Sequence, residues 1–352
     1  MTNLALHIQR PNVPDWMRQF VIDAGIEHVV IMQPDLYDAP PFGDSVKYTG
    51  RLYWGGEPDK ELIWRGTWGA HDYWTMCYPR MVKAPWVDMW LGPNEPGFTR
   101  LDQNHDEAVF KAEAWSGFHV RAASIWHEAH LRLATAPFST GAYQLGLTPW
   151  LHAGIDACDA LALHQYGMRT MRNPGRDHLL RHRDIREALL LWGVNKAVII
   201  PETGIDYAGN PIQDGWRAQG ISGDEYANQV VQYLHTLDAD PEVIYAAPFT
   251  WSHEGWPSFA LDQAWSEQCL LPALQAAGDT LTEYAQQFVI PQNPAAAFYA
   301  YGRAHGWEPI SPELDYGSQR AQVWYSPEDQ MQHVLYCTIG DWDNIQHVDR
   351  AN

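Results

Sequence analysis

Cysteine is scarce and scattered: Cys77, Cys158, Cys269 and Cys337 are far apart in 352 residues and form no CxxC pair. That spacing argues against a disulfide framework and a cysteine zinc site, so buried free thiols are expected. Positive charge is also short. Lys and Arg total 23 against 43 Asp and Glu, a formal charge of −20. Nucleic-acid backbones and anionic membranes would repel such a chain, so neither is expected as a partner. No apolar run reaches 18 residues, so no membrane span is expected. The opening MTNLALHIQRP has no basic or long apolar region, so no signal peptide is expected. Histidine is plentiful, at 16, yet His127-Glu128-Ala129-His130 is one residue short of HExxH, and the first apolar run, Leu4–Gln9, ends in His-Ile-Gln, not His-x-His. Neither a catalytic metal nor a cofactor is expected.

What is present is a globular composition, 46% hydrophobic and 19% charged, long enough for one large domain or a domain with a small appendage. There are 18 Trp and 17 Tyr against 10 Phe. Trp and Tyr combine a flat apolar face with a polar edge. That suits clefts stacked against sugar rings, and it equally suits packing of helices onto a barrel.

Along the chain, short apolar runs alternate with amphipathic stretches. Strands are expected at Leu4–Gln9, His28–Gln33, Glu61–Gly66, Trp86–Leu91, Arg132–Pro137, Ala160–His164, Ala197–Ile200 and Val243–Phe249. Helical segments follow all but the second, about Pro14–Ala24, His71–Lys83, Asp106–His130, Pro149–Ala157, Asp177–Trp192, Ser222–Leu234 and Phe259–Ala277, with a loop-rich section after the second strand. In the first helix Met17, Phe20, Val21 and Ala24 share a face. Ser222 and Glu225 form a capping box. Eight βα units within residues 1–277 fit a closed (β/α)8 TIM barrel, which takes about 250 residues. An open doubly wound sheet is disfavoured because no Gly-rich phosphate loop follows any strand. Residues 278–352 read as a small C-terminal β-containing appendage or accessory module, with a helix such as Pro294–His305 and β-like runs at Ala321–Tyr325 and His333–Thr338.

Active sites of such barrels lie where the strands end. Polar residues at those points include His7, Gln33, Asp35, Arg65, Asn94, Glu95, Ser139, Thr140, His164, Tyr166, Glu202, Asp206, Trp251, His253 and Glu254. Two carboxylates stand out, Glu95 in WLGPNEP and Glu202 in VIIPETG. A charge directly after an apolar strand is costly unless paired or functional. Two carboxyl groups meeting over a central cavity are what glycoside hydrolysis needs: one protonates the leaving oxygen, and the other attacks the anomeric carbon or activates water. The plain reading is that both acids pair with Arg65 or Lys83 in a stable loop layer. His164 fits a satisfied core histidine as well as a substrate contact. His253 and Glu254 fit a cleft lining or a loop cap. Trp54, Trp64 and Trp68 fit loop packing or sugar platforms.

Asn94-Glu95-Pro96, His164-Gln165-Tyr166, Glu202 placed 107 residues after Glu95, and Phe249-Thr250-Trp251 occur in that order. The series resembles clan A of the glycoside hydrolases, the retaining (β/α)8 glycosidases, over residues 1–277. The resemblance implies that Glu95 is the general acid/base and Glu202 the nucleophile. It implies that Asn94 bonds the sugar 2-hydroxyl or its substituent, that Tyr166 touches and orients Glu202, and that Trp251 floors the subsite beside the cleavage point. One departure is that many members carry an Arg after strand 2 that bonds the nucleophile, whereas here that strand ends in Gln33-Pro34-Asp35. Either Arg65 takes the role or the strand assignment within residues 35–66 is displaced. The expected activity is retaining hydrolysis of a β-linked polysaccharide or oligosaccharide. The alternatives are a phage or bacterial lysin cutting the peptidoglycan glycan with the same Glu pair, and a carbohydrate-binding barrel without catalysis. Oligomeric state and compartment are not legible.

Overall fold

The computed structural model describes residues 3–9, 12–54, 58–172, 178–251 and 255–284, and the strands within 308–350, with side chains through residue 277. The chain divides into two compact units, Met1–Asp279 and Thr280–Asn352. In the first, eight strands close into a barrel in sequence order, each pairing its neighbours in parallel. They are β1 (Asn3–Ile8), β2 (His28–Met32), β3 (Lys47–Arg51), β4 (Met89–Leu91), β5 (Leu133–Ala134), β6 (Ala160–Gly167), β7 (Ala197–Ile205) and β8 (Val243–Pro248). The helices are α1 (Asp15–Asp23), α2 (Pro58–Ile63), α3 (Gly66–Met81), α4 (His105–Glu128), α5 (Thr148–Ala157), α6 (Arg181–Leu190), α7 (Gly223–Leu237) and α8 (Gln263–Trp265). The last leads through a π-helical turn, Ser266–Leu270, into α9 (Leu271–Tyr284). No helix among the described residues is long and apolar enough to cross a membrane.

Alternation along the strands sets two cores. On β1, Leu4, Leu6 and Ile8 join the large apolar cluster under the helices, while Ala5 joins a second cluster with Val30, Met89, Leu91, Ala134, Ala160, Ala162, Ile199, Tyr245 and Ala247. Side chains alternate faces along a strand, so this second set fills the barrel interior. α1 buries Met17, Phe20 and Val21. α4 starts where the Asn104 side chain accepts from the Glu107 N–H, and α7 where Ser222 accepts from the Glu225 N–H; each satisfies an orphan helix donor.

The third strand corrects the sequence expectation. Glu61–Gly66 is not a strand; its first half lies in α2, which opens with Pro58 and carries Asp59 and Glu61 in its first turn, and Gly66 opens α3. Pro at the helix start and acids near the positive end of the helix dipole favour this outcome. β3 is instead Lys47–Arg51, paired with β2 from His28↔Lys47 to Met32↔Arg51. Gly50 is needed there, since a Cβ would stand 2.9 Å from Val87 and 3.0 Å from the Trp90 ring.

In the second unit, β9 (Glu308–Pro309), β10 (Leu314–Asp315), β11 (Gln319–Ser326), β12 (Met331–Thr338) and β13 (Gln346–Arg350) form an antiparallel sheet. Both expected β-like runs fall on β11 and β12. The expected helix Pro294–His305 lies outside the described residues.

Candidate active site

One step above the apolar interior layer, towards the C-terminal ends of the strands, the barrel becomes polar. Two residues beyond Ala5 stands His7, beyond Thr49 stands Arg51, and beyond Ala162 stands His164. All three are buried. Glu202 reaches the same layer by a different route. Ala162 pairs with Ile199, but His164 pairs with Glu202, so β7 spends three residues where β6 spends two. β7 is long by one residue against β8 as well, between Ile200↔Ala246 and Thr203↔Pro248. This is a β-bulge containing Pro201, and it turns Glu202 onto the interior face that strict alternation would deny it. Glu95 lies four residues beyond β4 with φ 42°, a left-handed conformation unusual for a side-chain-bearing residue and a form of local strain that clusters at functional sites.

The Glu202 carboxylate is held by one donor on each oxygen. Arg51 Nη1 donates to Oε1 at 3.0 Å, and the Tyr166 hydroxyl donates to Oε2 at 3.0 Å. His7 Nε2 stands 3.6 Å from Oε1, and His164 Nδ1 stands 3.5 Å from Oε2. The same His164 Nδ1 lies 2.7 Å from Glu95 Oε1. One oxygen of Glu95, one oxygen of Glu202 and a nitrogen of His164 all lie within 4.8 Å of one another. The Glu95 side chain is 33% exposed and that of Glu202 11%, so the first stands at the opening and the second beneath it.

The protonation of the layer follows from burial and charge. Burial, with the Arg51 charge and His164 adding to it, pushes His7 well below the ordinary imidazole range. Its ring is fixed by Nδ1 against Thr250 Oγ1 at 3.2 Å. Burial and then the Glu202 and Glu95 charges hold Tyr166 well above the usual phenol range, so it stays a neutral donor. For Glu95, burial pushes the carboxyl up, but the hydrogen bond and electrostatics of His164, followed by Arg51 and Lys60, outweigh it, and the net direction is down. Burial above all raises Asp206 at the end of β7, with the Asp214 and Glu95 charges adding to it.

Glu95, His164 and Glu202 are close enough to offer donors to one metal ion. The chemistry of the set is poor for that. A guanidinium sits on Glu202, and a cation would meet its charge directly.

The other expected site residues distribute unevenly. Asn94 is partly buried, with its Oδ1 enclosed and lacking a hydrogen-bond partner. Thr140 braces β6 from behind: its hydroxyl donates to the His164 carbonyl and accepts from the Tyr166 N–H. Gln33 and Asp35 are clamped by Arg80, whose guanidinium lies 4.8 Å over the Trp54 ring. His253 and Glu254 lie outside the described residues.

Two expectations are overturned. Arg65 lies just before α3, exposed and paired with Asp72 at 2.7 Å, because the segment around it is helical; Arg51 is the guanidinium on Glu202. Trp251 is fully buried, its indole N–H donating to Ser266 Oγ at 3.0 Å and its ring facing Phe20 and Trp265. β8 ends at Pro248, so the alternation that would have turned Trp251 inward stops short of it. The aromatic ring beside the polar layer is Phe249, 4.9 Å from His7 and edge-on to Tyr166 and Trp256. Phe249 follows Ala247 on the inward face, a signal that was available in the sequence.

No family model matches the chain, and no curated protein does. Among solved structures it is similar to a GH128 subgroup I endo-β-1,3-glucanase from Amycolatopsis mediterranei in complex with laminaritriose, at 15% identity and TM-score 0.46, covering 79% of this chain and 100% of that one. It is similar to PfGH50B at 12% identity and TM-score 0.48, covering 77% of this chain and 48% of the other. A third is the β-glucuronidase from Ruminococcus gnavus in complex with D-glucuronic acid, at 13% identity and TM-score 0.42, covering 71% of this chain and 42% of that one. At these identities the likeness is one of fold.

Proposed function

We propose that the chain is a retaining glycoside hydrolase acting on a β-linked glycan, with Glu202 as nucleophile and Glu95 as acid/base. The observation that carries this reading is the approach of the two carboxyl groups to within 4.8 Å, oxygen to oxygen, in a polar layer at the barrel mouth. A separation of about 5–5.5 Å between the groups leaves room for direct attack on a sugar carbon, whereas inversion needs about 6.5–9.5 Å to seat a water.

In the first step Glu202 forms a bond to the anomeric carbon as the bond to the leaving oxygen breaks, and Glu95 gives that oxygen its proton. In the second step Glu95 takes a proton from water, the water oxygen bonds the same carbon, and Glu202 departs as a carboxylate. Two displacements return the original anomer. Arg51 and Tyr166 fix the plane of Glu202 for attack. Asn94, just past β4 and beside Glu95, is assigned to the sugar 2-hydroxyl, a contact that strengthens as the ring flattens.

The test is Glu202→Gly. It should lose nearly all turnover, and azide should restore it on an activated aryl glycoside as a glycosyl azide of inverted configuration. Wild-type-like activity in that variant would remove Glu202 from the role. The substrate is found by product mass analysis across β-glucans, other polysaccharides and cell walls. Binding without turnover throughout that panel would leave a carbohydrate-binding barrel.

A further inference from the structure

We propose that the outward face of α3 around Trp68 is a second carbohydrate site, outside the cleft, that stacks against a neutral β-linked polysaccharide and holds the polymer beside the active site. This deepens the hydrolase reading and rests on it for the class of polymer. Of Trp54, Trp64 and Trp68, each of which fits loop packing or a sugar platform by sequence, two are taken up by the protein. Trp54 lies under the Arg80 guanidinium. Trp64 meets Phe98 edge-on, with ring centroids 5.4 Å apart, and Lys111 Nζ lies 5.4 Å over its ring. Both pack against the main apolar core. Trp68 does not. It is 79% exposed, the most exposed large apolar side chain among the described residues. A lone aliphatic residue at the surface, such as Ile22, is ordinary; the setting of Trp68 is not.

Arg65, Trp68 and Asp72 are spaced three and four residues apart, so they share one helix face. Arg65 Nη1 bridges to Asp72 Oδ2 at 2.7 Å across the turn that carries Trp68. The two charges neutralise each other, and Asp72 Oδ1 and the remaining guanidinium nitrogens have no hydrogen-bond partner among the described residues. A flat indole is thus bordered by held donors and acceptors, which matches a sugar ring with C–H groups on its face and hydroxyls at its rim. Along the same helix His71, Thr75 and Tyr78 follow Trp68 at three- and four-residue spacing, all exposed. This stripe is about 15 Å long and carries no carboxylate, in a chain with 43 Asp and Glu. It suits an uncharged polymer longer than one sugar. The platform is rigid, since Gly69 lets α2 come so close that a Cβ there would stand 1.7 Å from the Leu62 carbonyl oxygen. It is also at the right end of the barrel. α3 runs back from the C-terminal ends of the strands, so its first turn, with Trp68, is on the side where the polar layer opens. Trp64, four residues before Trp68, touches Phe98, three residues past Glu95. A second site on that side raises the local concentration of bonds the cleft can cut.

The test runs the full chain on ice in native gels cast with soluble β-1,3-glucan, mixed-linkage β-glucan or xylan. The wild type should be retarded by at least one of them. Trp68→Ala should lose about fivefold to tenfold in affinity for that polymer, and Trp68→Tyr, which keeps a flat ring with a polar edge, should retain most of it. On an aryl glycoside, which occupies only the cleft, both variants should match the wild type. On the retarding polymer Trp68→Ala should raise KM by the same factor with kcat unchanged. Equal retardation of Trp68→Ala and wild type in every gel overturns the proposal. So does a wild type that no gel retards; if it still cuts glycosides, the hydrolase reading stands without the second site. A Trp68→Ala that loses a dimer on size exclusion while keeping its retardation also overturns it, and makes this face a contact between copies. Retardation that depends on Trp68, with no turnover of any polymer or aryl glycoside, leaves the site standing and removes the hydrolase reading.

Discussion

Glu202 is constrained on both oxygens by residues from different strands, and this decides what its neighbours are worth. Removing the Tyr166 hydroxyl leaves Glu202 Oε2 without its hydrogen-bond donor and the carboxylate held chiefly by Arg51 on Oε1. Tyr166→Phe should lower kcat by about tenfold to hundredfold with KM nearly unchanged, because the lost bond is to Glu202, the proposed nucleophile. A matching rise in KM would place Tyr166 on the substrate instead. Glu95 is tested differently. Glu95→Gln should cost about a thousandfold on glycosides with poor leaving groups and far less in the first step on activated aryl glycosides, which depart without a proton. Steady-state rates across a leaving-group series give the answer, and equal loss on all of them would exclude Glu95 as the acid.

At the scale of the element, the site depends on where strands end and how tightly they approach. Glu95 and Glu202 were legible because a carboxylate closely following an apolar run has few structural explanations. Arg51 was not, because Lys47-Tyr-Thr-Gly-Arg is short and contains a glycine, whereas Glu61-Leu-Ile-Trp-Arg-Gly looks more strand-like by composition alone. What decides the matter is three-dimensional: Thr49 receives the Tyr245 hydroxyl across the barrel at 2.9 Å, and Gly50 admits the Trp90 ring of β4. The bulge in β7 was illegible for a related reason, since it exists only relative to the registers of β6 and β8. The same closeness makes Gly92, just past β4, a test of the scaffold. A Cβ there would meet the Ala136 backbone nitrogen at 2.7 Å and its Cα at 3.0 Å; backbone cannot rotate away as a side chain can. Gly92→Ala should cost about 1–3 kcal/mol of stability in urea unfolding. It should also lose activity beyond what the unfolded fraction explains, because Glu95 is carried on the displaced segment.

Across the whole molecule, buried titratable groups set the pH range in which the barrel is stable. Burial holds His119 down at about 3 and His7 well below its usual range. Both fold as neutral rings, whereas in the unfolded chain they gain protons below about pH 6.5. Their stability contribution is therefore full above pH 6.5 and is lost as pH falls towards the folded values, for His119 about 3 kcal/mol by pH 4. Carboxylates held below their usual range act with the same sign, Asp240 by His182 and Arg183 and Asp159 by His127 and the Leu133 N–H, in each case against the upward push of burial. On the alkaline side, burial raises Tyr143, Tyr226, Tyr233 and Tyr245, so stability falls as pH rises above about 10, where the unfolded phenols ionise. Melting temperature should thus be flat from about pH 6.5 to 10 and fall by roughly 10 °C between pH 6.5 and pH 4. The two flanks differ in cause, and His119→Gln separates them: it should flatten the acid flank and leave the alkaline flank in place. An unchanged acid flank in that variant would mean that His119 does not carry it, and that the carboxylates with His7 account for the loss.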